Sequence, residues 1–189
     1  MNRKSFLKQL GAAAVFTAVP TGTVLAALKN QGVRSLLPAG QSDPRTLPKV
    51  VRKEEGKALV ILGNKQWHKI TGADTENQFF EWFDRLSPGS MIPPHIHSRE
   101  DEIFRVKKGE VEFMIGDRIT TLQAGDVAFA PKNIAHSWKV VGQEEAEMTV
   151  SVFPAGMEHM FHELHQLPPG PPDLERVSAI CETYGIQFV

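Results

Sequence analysis

The stretch 58–154 constrains the fold more than any other feature of this 189-residue chain. It consists of short apolar or alternating runs that are separated by Gly, Pro, Asn and Asp at close intervals. Such runs are typical of an all-β sandwich or barrel. We predict strands at 58–62, 78–86, 102–107, 110–115, 118–122, 126–130, 136–141 and 147–153. Gly116-Asp117 between two of these runs is a hairpin signal, which favours antiparallel pairing.

The segments on either side of this stretch have different patterns. Residues 27–57 contain three prolines and no sustained periodicity, so we predict a linker or a strap on the barrel. Residues 155–189 predict two short C-terminal helices, which we expect to pack on the outside of the barrel or against a partner subunit. The second of these helices has Asp173 as a plausible N-cap and Gly185 at its C-terminal end. No internal repeat is visible, so the chain is predicted to hold one barrel.

Composition excludes several classes of protein. The 21 basic and 22 acidic residues give a net charge of -1, without the basic excess of a nucleic-acid binder. The chain has one cysteine, Cys181, which rules out an internal disulfide framework and a site with several cysteine ligands. Any metal must therefore be held by nitrogen and oxygen atoms.

The first 26 residues have the pattern of an export signal. Arg3, Lys4 and Lys8 precede an apolar, acid-free run over 10–18, and small residues suited to cleavage occupy 24 and 26. The start also resembles a twin-arginine signal, with Lys4 in place of the second arginine, so the export route stays open. We expect a periplasmic or extracellular protein with no stable membrane span after processing. An uncleaved anchor or a fold helix is the alternative, although the apolar run is shorter than the ~20 residues that a span needs.

Three histidines and one glutamate form the candidate metal site. His95 and His97 are two residues apart, so on an extended backbone both imidazoles point to the same face of the sheet. Glu102 begins the next predicted strand, and His136 begins a later one from which it can converge across the barrel. Three imidazoles and a carboxylate suit one divalent transition ion: manganese, iron, cobalt, nickel, copper or zinc. Glu100 and Asp101 adjoin Glu102, and either can replace it as the ligand.

These residues resemble the two motifs of the cupin family. The spacing of the first motif is reproduced by Gly89, His95, His97, Glu102 and Gly109. The second motif is matched by Gly125, Pro131, Asn133, His136 and Val140, in which Asn133 replaces a glycine and Val140 replaces the final asparagine. The resemblance implies a double-stranded β-helix, that is, a jelly-roll or cupin barrel, with His95, His97, Glu102 and His136 as metal ligands. Many cupins have lost their metal, and a purely structural ion is a further alternative.

Aromatic residues supply the predicted barrel interior. Some of the following must face inward: Phe80, Trp82, Phe104, Phe113, Phe129 and Trp138. Phe104 shares strand parity with Glu102, while Trp138 and Val140 share it with His136. We therefore predict that Phe104, Trp138 and Val140 line a substrate pocket beside the metal, suited to a flat or aromatic small molecule.

Two other features favour plain structural interpretations. His159, His162 and His165 recur every three residues, and on a helix we expect them to form a solvated face and not a second metal site. Cys181 lies on an apolar stripe without a basic neighbour, which predicts a buried, inert thiol.

The stretch 93–102 and the tail 156–185 resemble bacterial members of the quercetin 2,3-dioxygenase-like small cupins. This resemblance implies a metal-dependent dioxygenase that acts on a small enediol, flavonol-like or aromatic substrate, with Glu102 as both ligand and proton acceptor. The alternatives are a cupin isomerase or decarboxylase and a non-catalytic exported module that binds a metal or a small ligand. Small cupins are commonly dimers, so the resemblance also allows a homodimer.

Overall fold

The computed structural model describes residues 48–189. The predicted signal segment 1–26 and residues 27–47 of the predicted linker lie outside the described residues. The elements follow in this order: β1 (Lys57–Ile61), β2 (Asn64–Ile70), α1 (Gly72–Thr75), β3 (Phe80–Leu86), β4 (Met91–His97), β5 (Asp101–Lys108), β6 (Val111–Ile115), β7 (Arg118–Leu122), β8 (Val127–Ala130), β9 (His136–Val140), β10 (Ala146–Phe153), α2 (Met157–His165), α3 (Leu174–Thr183) and β11 (Ile186–Phe188). None of these helices is long and apolar enough to cross a membrane.

The strands form two antiparallel sheets, which confirms the predicted all-β fold class. One sheet has the order β1-β2-β3-β10-β5-β8, and the other has the order β11-β4-β9-β6-β7. The predicted hairpin is present between β6 and β7, with Ile115 opposite Arg118 across Gly116-Asp117. Strands distant in sequence lie side by side, as in β10 between β3 and β5. In this order the motif strands β4, β5 and β9 each have a neighbour on both sides, and none of them is an edge strand.

Side chains alternate between the two faces of each strand, and this alternation determines which residues form the core. Along β10, the residues Ala146, Met148, Val150 and Val152 are almost fully buried and belong to one cluster that draws on both sheets. Five of the six aromatic residues considered from the sequence are buried in this core, as expected. Phe129 is the exception and is 53% exposed, because its parity on β8 puts it on the outer face, while Ala128 and Ala130 face inward.

Residues 155–189 form the two predicted helices, and both pack against the barrel. Asp173 accepts a hydrogen bond from the backbone N–H of Arg176 and caps α3, as predicted. α2 contacts β1 and α3 contacts β11, each an edge strand of its sheet. The buried faces of the two helices extend the core of the barrel: Met157, Met160, Phe161, Leu164, Val177 and Cys181.

Two glycines of the first motif offer a test of local packing. Gly89 and Gly109 have nearly equal φ values of 77° and 78°, in the left-handed region that favours glycine. A Cβ at Gly109 would lie 2.9 Å from the Cα of Ala146, whereas a Cβ at Gly89 would meet no atom within 4 Å. Close backbone approach is thus required at Gly109 alone.

We expect Gly109→Ala to be clearly more destabilising than Gly89→Ala. Both variants bear the cost of a left-handed alanine, about 1–2 kcal/mol, and only Gly109→Ala adds a backbone clash that costs about 1–3 kcal/mol more. The free energy of unfolding in urea measures the difference. Equal losses in the two variants would show that strand β5 and the start of β10 can separate freely.

Candidate metal centre

The four sequence-predicted ligands meet at one point inside the barrel. His95 and His97 lie on β4, Glu102 on β5 and His136 at the start of β9. One ligand atom from each lies within 4.8 Å of all the others, and none of the four residues is more than 5% exposed. His95 pairs with His136 across β4 and β9, and Glu102 comes from the opposite sheet. The two sheets therefore both contribute to the cluster.

The local sequence explains how β4 presents its histidines. The alternation of the strand turns His95 and His97 to the inner face, as predicted. Pro93 and Pro94 lie where the pairing of β4 with β9 shifts register, between Ile92 and His95. Proline cannot donate to a sheet ladder and is tolerated at such irregularities. The ladder resumes at His95, where the histidines begin.

Two of the imidazoles are oriented by backbone carbonyl groups. Nδ1 of His95 lies 2.8 Å from the carbonyl oxygen of Pro93, and Nδ1 of His136 lies 3.0 Å from that of Ile134. A carbonyl only accepts, so each Nδ1 carries the hydrogen and donates it. The Nε2 atom of each ring then has a free lone pair, which is the form that binds a metal. Burial lowers the pKa of His95 to about 4 and so keeps its ring neutral.

The third imidazole, His97, lies between two carboxylates. Its Nδ1 is 3.5 Å from Oε2 of Glu100, and its Nε2 is 3.6 Å from Oε2 of Glu102. Burial alone would lower the pKa of His97, but the contact with Glu100 and the charges of both carboxylates outweigh it and raise the pKa. His97 Nδ1 and Glu100 Oε2 are buried and have no closer partner among the described residues. Glu100 is thus placed to orient His97.

Glu102 is the carboxylate of the cluster. Its Oε2 lies 3.1 Å from Nε2 of His136. Burial would raise the pKa of Glu102, but the contact with His136 and the neighbouring imidazoles outweigh it and lower the pKa. Asp101 is directed elsewhere, since its Oδ1 accepts from the backbone N–H of Lys132 at 2.9 Å. Of the three adjacent acids, only Glu102 joins the three histidines.

The cluster suits a divalent transition ion. Its donors are three imidazole nitrogens and a carboxylate oxygen, buried and convergent, which is the set that manganese, iron, cobalt, nickel, copper and zinc accept. Two of the rings already have their second nitrogen fixed by a carbonyl oxygen, as is usual for metal-bound histidine. A single ion here would be held by His95, His97, Glu102 and His136.

We expect Glu100→Leu to weaken metal binding without removing a ligand. The substitution introduces an apolar side chain of similar bulk and leaves Nδ1 of His97 without its carboxylate. Loss of such a partner costs about 10–100-fold in metal affinity. Competition with a chromophoric zinc chelator measures the change. Asp101→Asn is the matched control and is expected to leave the affinity unchanged. Equal affinities in all three proteins would mean that Glu100 does not orient His97.

A cavity of about 210 Å³ adjoins the cluster. His95, His97 and Glu102 form part of its wall, and Phe104 and Trp138 line it, as the sequence predicts. Val140 is fully buried but does not line the cavity; it faces the core opposite Val111. The remaining wall is mostly apolar and includes residues of α2, α3 and β11. No lysine or arginine of the described chain is among the lining residues.

One polar group in this cavity was missed by the sequence analysis. Asp84 on β3 is buried, lines the cavity and accepts a 2.7 Å hydrogen bond from Nε1 of Trp82. Burial raises the pKa of Asp84 to about 7, against the hydrogen bonds from Trp82 and Gln66 that lower it. The signal was available, because Asp84 has the same parity as Phe80, Trp82 and Leu86 in a predicted strand. An acid on the apolar face of a strand is unusual enough to indicate a site.

Gln66 and His68 on β2 are two further buried polar residues of this region. Gln66 lines the cavity beside Asp84, and its Oε1 lies 3.0 Å from Nε2 of His68. Burial lowers the pKa of His68 to about 3, so this imidazole is neutral and donates to Gln66. The ring of His68 stacks on that of His162 at 5.6 Å.

The remaining candidates have the predicted structural roles, except for His162. His159 and His165 are exposed on α2 as predicted, whereas His162 is half-buried against His68 and does not belong to a solvated face. Within residues 48–189, the cluster of His95, His97, Glu102 and His136 is the single group with metal-binding geometry. Cys181 is buried, and burial raises its pKa to about 11, which makes the thiol inert.

Comparisons with known proteins agree with this architecture. Residues 82–153 match the family model of the cupin domain, Cupin_2. Similar curated proteins include oxalate oxidase GF-2.8 from Triticum aestivum and oxalate oxidase 1 from Hordeum vulgare, each 33% identical over 104 residues. The matches cover 51% of this chain and 45% and 50% of the two relatives, so the chain spans about half the length of the curated relatives it matches.

Solved structures show the same fold at low identity. KdgF from Halomonas sp. has a TM-score of 0.52 at 18% identity and covers 60% of this chain and 99% of its own. A predicted oxalate decarboxylase from Thermotoga maritima has a TM-score of 0.51 at 24% identity and covers 56% and 99%. These likenesses concern the fold alone. The domain match and the two antiparallel sheets show a cupin domain over residues 82–153.

Proposed function

We propose that this chain is a metal-dependent oxidoreductase of the dioxygenase type, acting on a small enediol or a single-ring aromatic diol. The observation that carries the proposal is the buried cluster of three histidines and Glu102 in the wall of a small, mostly apolar cavity. A metal beside a mostly apolar cavity can bind a substrate oxygen while much of the substrate lies against apolar side chains. The similarity to oxalate oxidases supports an oxidoreductase without naming the substrate.

Glu102 is the residue to which we assign proton transfer. Its carboxylate lies beside the ligand nitrogens of His97 and His136 and faces the cavity. A substrate hydroxyl that reaches the cluster would thus lie close to an ionised carboxylate, which can accept its proton. A bound ion would add a Lewis acid and, where it is redox-active, a route for electrons to dioxygen.

The cavity favours a small substrate. At about 210 Å³ it is below the roughly 300–1,000 Å³ of pockets for drug-sized ligands. Phe104 and Trp138 offer flat apolar surfaces next to the cluster. A single ring or a short enediol fits this space better than a three-ring flavonol, so we narrow the range of substrates suggested by the sequence.

An oxygen-electrode assay with defined metal loading tests the proposal. The full chain, freed of metal, is reloaded separately with manganese, iron, nickel, copper or zinc and offered catechols, enediols, diketones, a flavonol and oxalate. We expect oxygen uptake that requires both a redox-active metal and a small diol or enediol. Uptake with oxalate alone would favour the activity named for the curated relatives. Metal binding with no oxygen uptake would favour an isomerase, a decarboxylase or a non-catalytic binding module.

A further inference from the structure

Asp84 lines the cavity but is not one of the four residues of the metal cluster, so the cluster does not explain why it is there. A buried carboxyl group is costly unless it is hydrogen-bonded, and residues of this type are almost never fully buried without a partner. Asp84 has such partners, because Trp82 donates to its Oδ2 at 2.7 Å and the Gln66 amide also donates to it. Gln66 is in turn fixed by His68 at 3.0 Å. The side chain is therefore held in one position on the cavity wall.

The cavity is lined by acidic side chains without basic ones, and this affects which ligands it can bind. Asp84 and Glu102 both line it, and no lysine or arginine of the described residues does. Burial raises the pKa of Asp84 to about 7, so above that pH a divalent ion on the cluster would offset Glu102 and leave Asp84 as a second negative group in a mostly apolar space. A dicarboxylate would place two further negative charges there, where repulsion is strong because the surroundings have a low dielectric constant.

We propose that Asp84 determines the specificity of this cavity by accepting a hydrogen bond from a substrate hydroxyl and excluding oxalate and other dicarboxylates. This inference rests on the proposed function, since it concerns the substrate of the same site. A diol has a hydroxyl left to donate to Asp84 when another of its oxygens lies at the cluster. An oxalate dianion has no donor and would leave Asp84 facing a carboxylate.

Equilibrium binding to the cobalt-loaded full chain tests this inference. Catechol and oxalate are each titrated, at a pH well above the pKa of Asp84, into wild type, Asp84→Asn and Asp117→Asn, with metal content measured after each titration. For Asp84→Asn we expect catechol to bind about tenfold more weakly, because a neutral amide oxygen replaces a charged acceptor, and oxalate to bind about tenfold more tightly. Asp117 is exposed on the β6–β7 turn, so Asp117→Asn is the matched control and should behave as wild type.

Unchanged dissociation constants in a metal-loaded Asp84→Asn protein would overturn the inference. If that variant does not fold, Trp82→Phe provides the test, because loss of the indole donor raises the pKa of Asp84 further. Exclusion of oxalate should then begin at a higher pH than in wild type, and an unshifted pH profile would also overturn the inference. Because binding is measured without turnover, absence of oxygen uptake would count against the proposed function and leave this result intact.

Discussion

His136→Ala is expected to abolish metal binding while the barrel remains folded. His136 is 1% exposed and lies at the start of β9, and its ring is oriented by the carbonyl oxygen of Ile134. Its removal deletes one of the four donors and leaves the β9 side of the cluster without a ligand, so we expect the ion to be held much more weakly and to be lost on dialysis. Metal content should fall from about one ion per chain in the wild type to a small fraction of that.

Metal-induced stabilisation gives an independent measure of the same change. An ion that binds only the folded state stabilises it by about 2.7 kcal/mol when its concentration is a hundredfold above the dissociation constant. We expect this increase in the free energy of unfolding for wild type and for His159→Ala, which changes an exposed histidine of α2. His136→Ala should show none. A variant that keeps the full metal-dependent increase would show that the ion is bound elsewhere.

Glu102→Gln is expected to separate catalysis from metal binding. The amide keeps an oxygen of similar position but cannot accept a proton as the carboxylate does. The loss of a positioned general base costs about 10²–10⁴-fold in rate. Metal content should fall much less than turnover, because the three imidazoles remain. Parallel measurement of bound metal and of turnover on the best substrate from the oxygen-uptake panel makes the comparison.

Asp101→Asn is the control for Glu102→Gln, since Asp101 is adjacent in sequence but bonds to the backbone of Lys132. It should retain most of the turnover. Full turnover in Glu102→Gln together with an inactive Asp101→Asn would show that the carboxylate has been assigned wrongly.

Three observed strands, β2, β4 and β11, are absent from the predicted strand ranges, and the case of β2 is instructive. The inner face of β2 carries Gln66 and His68, so its alternation does not have the apolar face by which a half-buried strand is recognised. These residues face inward because they hold Asp84 and close the cavity. The alternation of apolar and polar residues therefore does not reveal a strand whose inner face lines a ligand site. At such sites polar residues face inward, against the usual pattern of an apolar core. The strand β11 was missed for another reason, since three residues carry too little pattern.

The ligand spacing was informative because it depends on strand geometry alone. His95 and His97 share a face on any extended backbone, so their joint orientation follows from the sequence. Their meeting with Glu102 and His136 depends on pairing between distant strands, and only the resemblance to a family supplied it. Helical periodicity identified the apolar faces of α2 and α3 correctly, but it contains no information about which surface those faces cover.

The C-terminal segment gives the cavity a modular origin. The four clustered side chains come from strands β4, β5 and β9, whereas Met157, Phe161, Cys181 and Phe188 of residues 155–189 form part of the remaining cavity wall. The metal ligands and this part of the wall are therefore encoded in separate parts of the gene. Substitutions in the tail can change the size of an accepted molecule while the cluster stays intact, so such a scaffold can diversify its substrates without rebuilding its reactive centre.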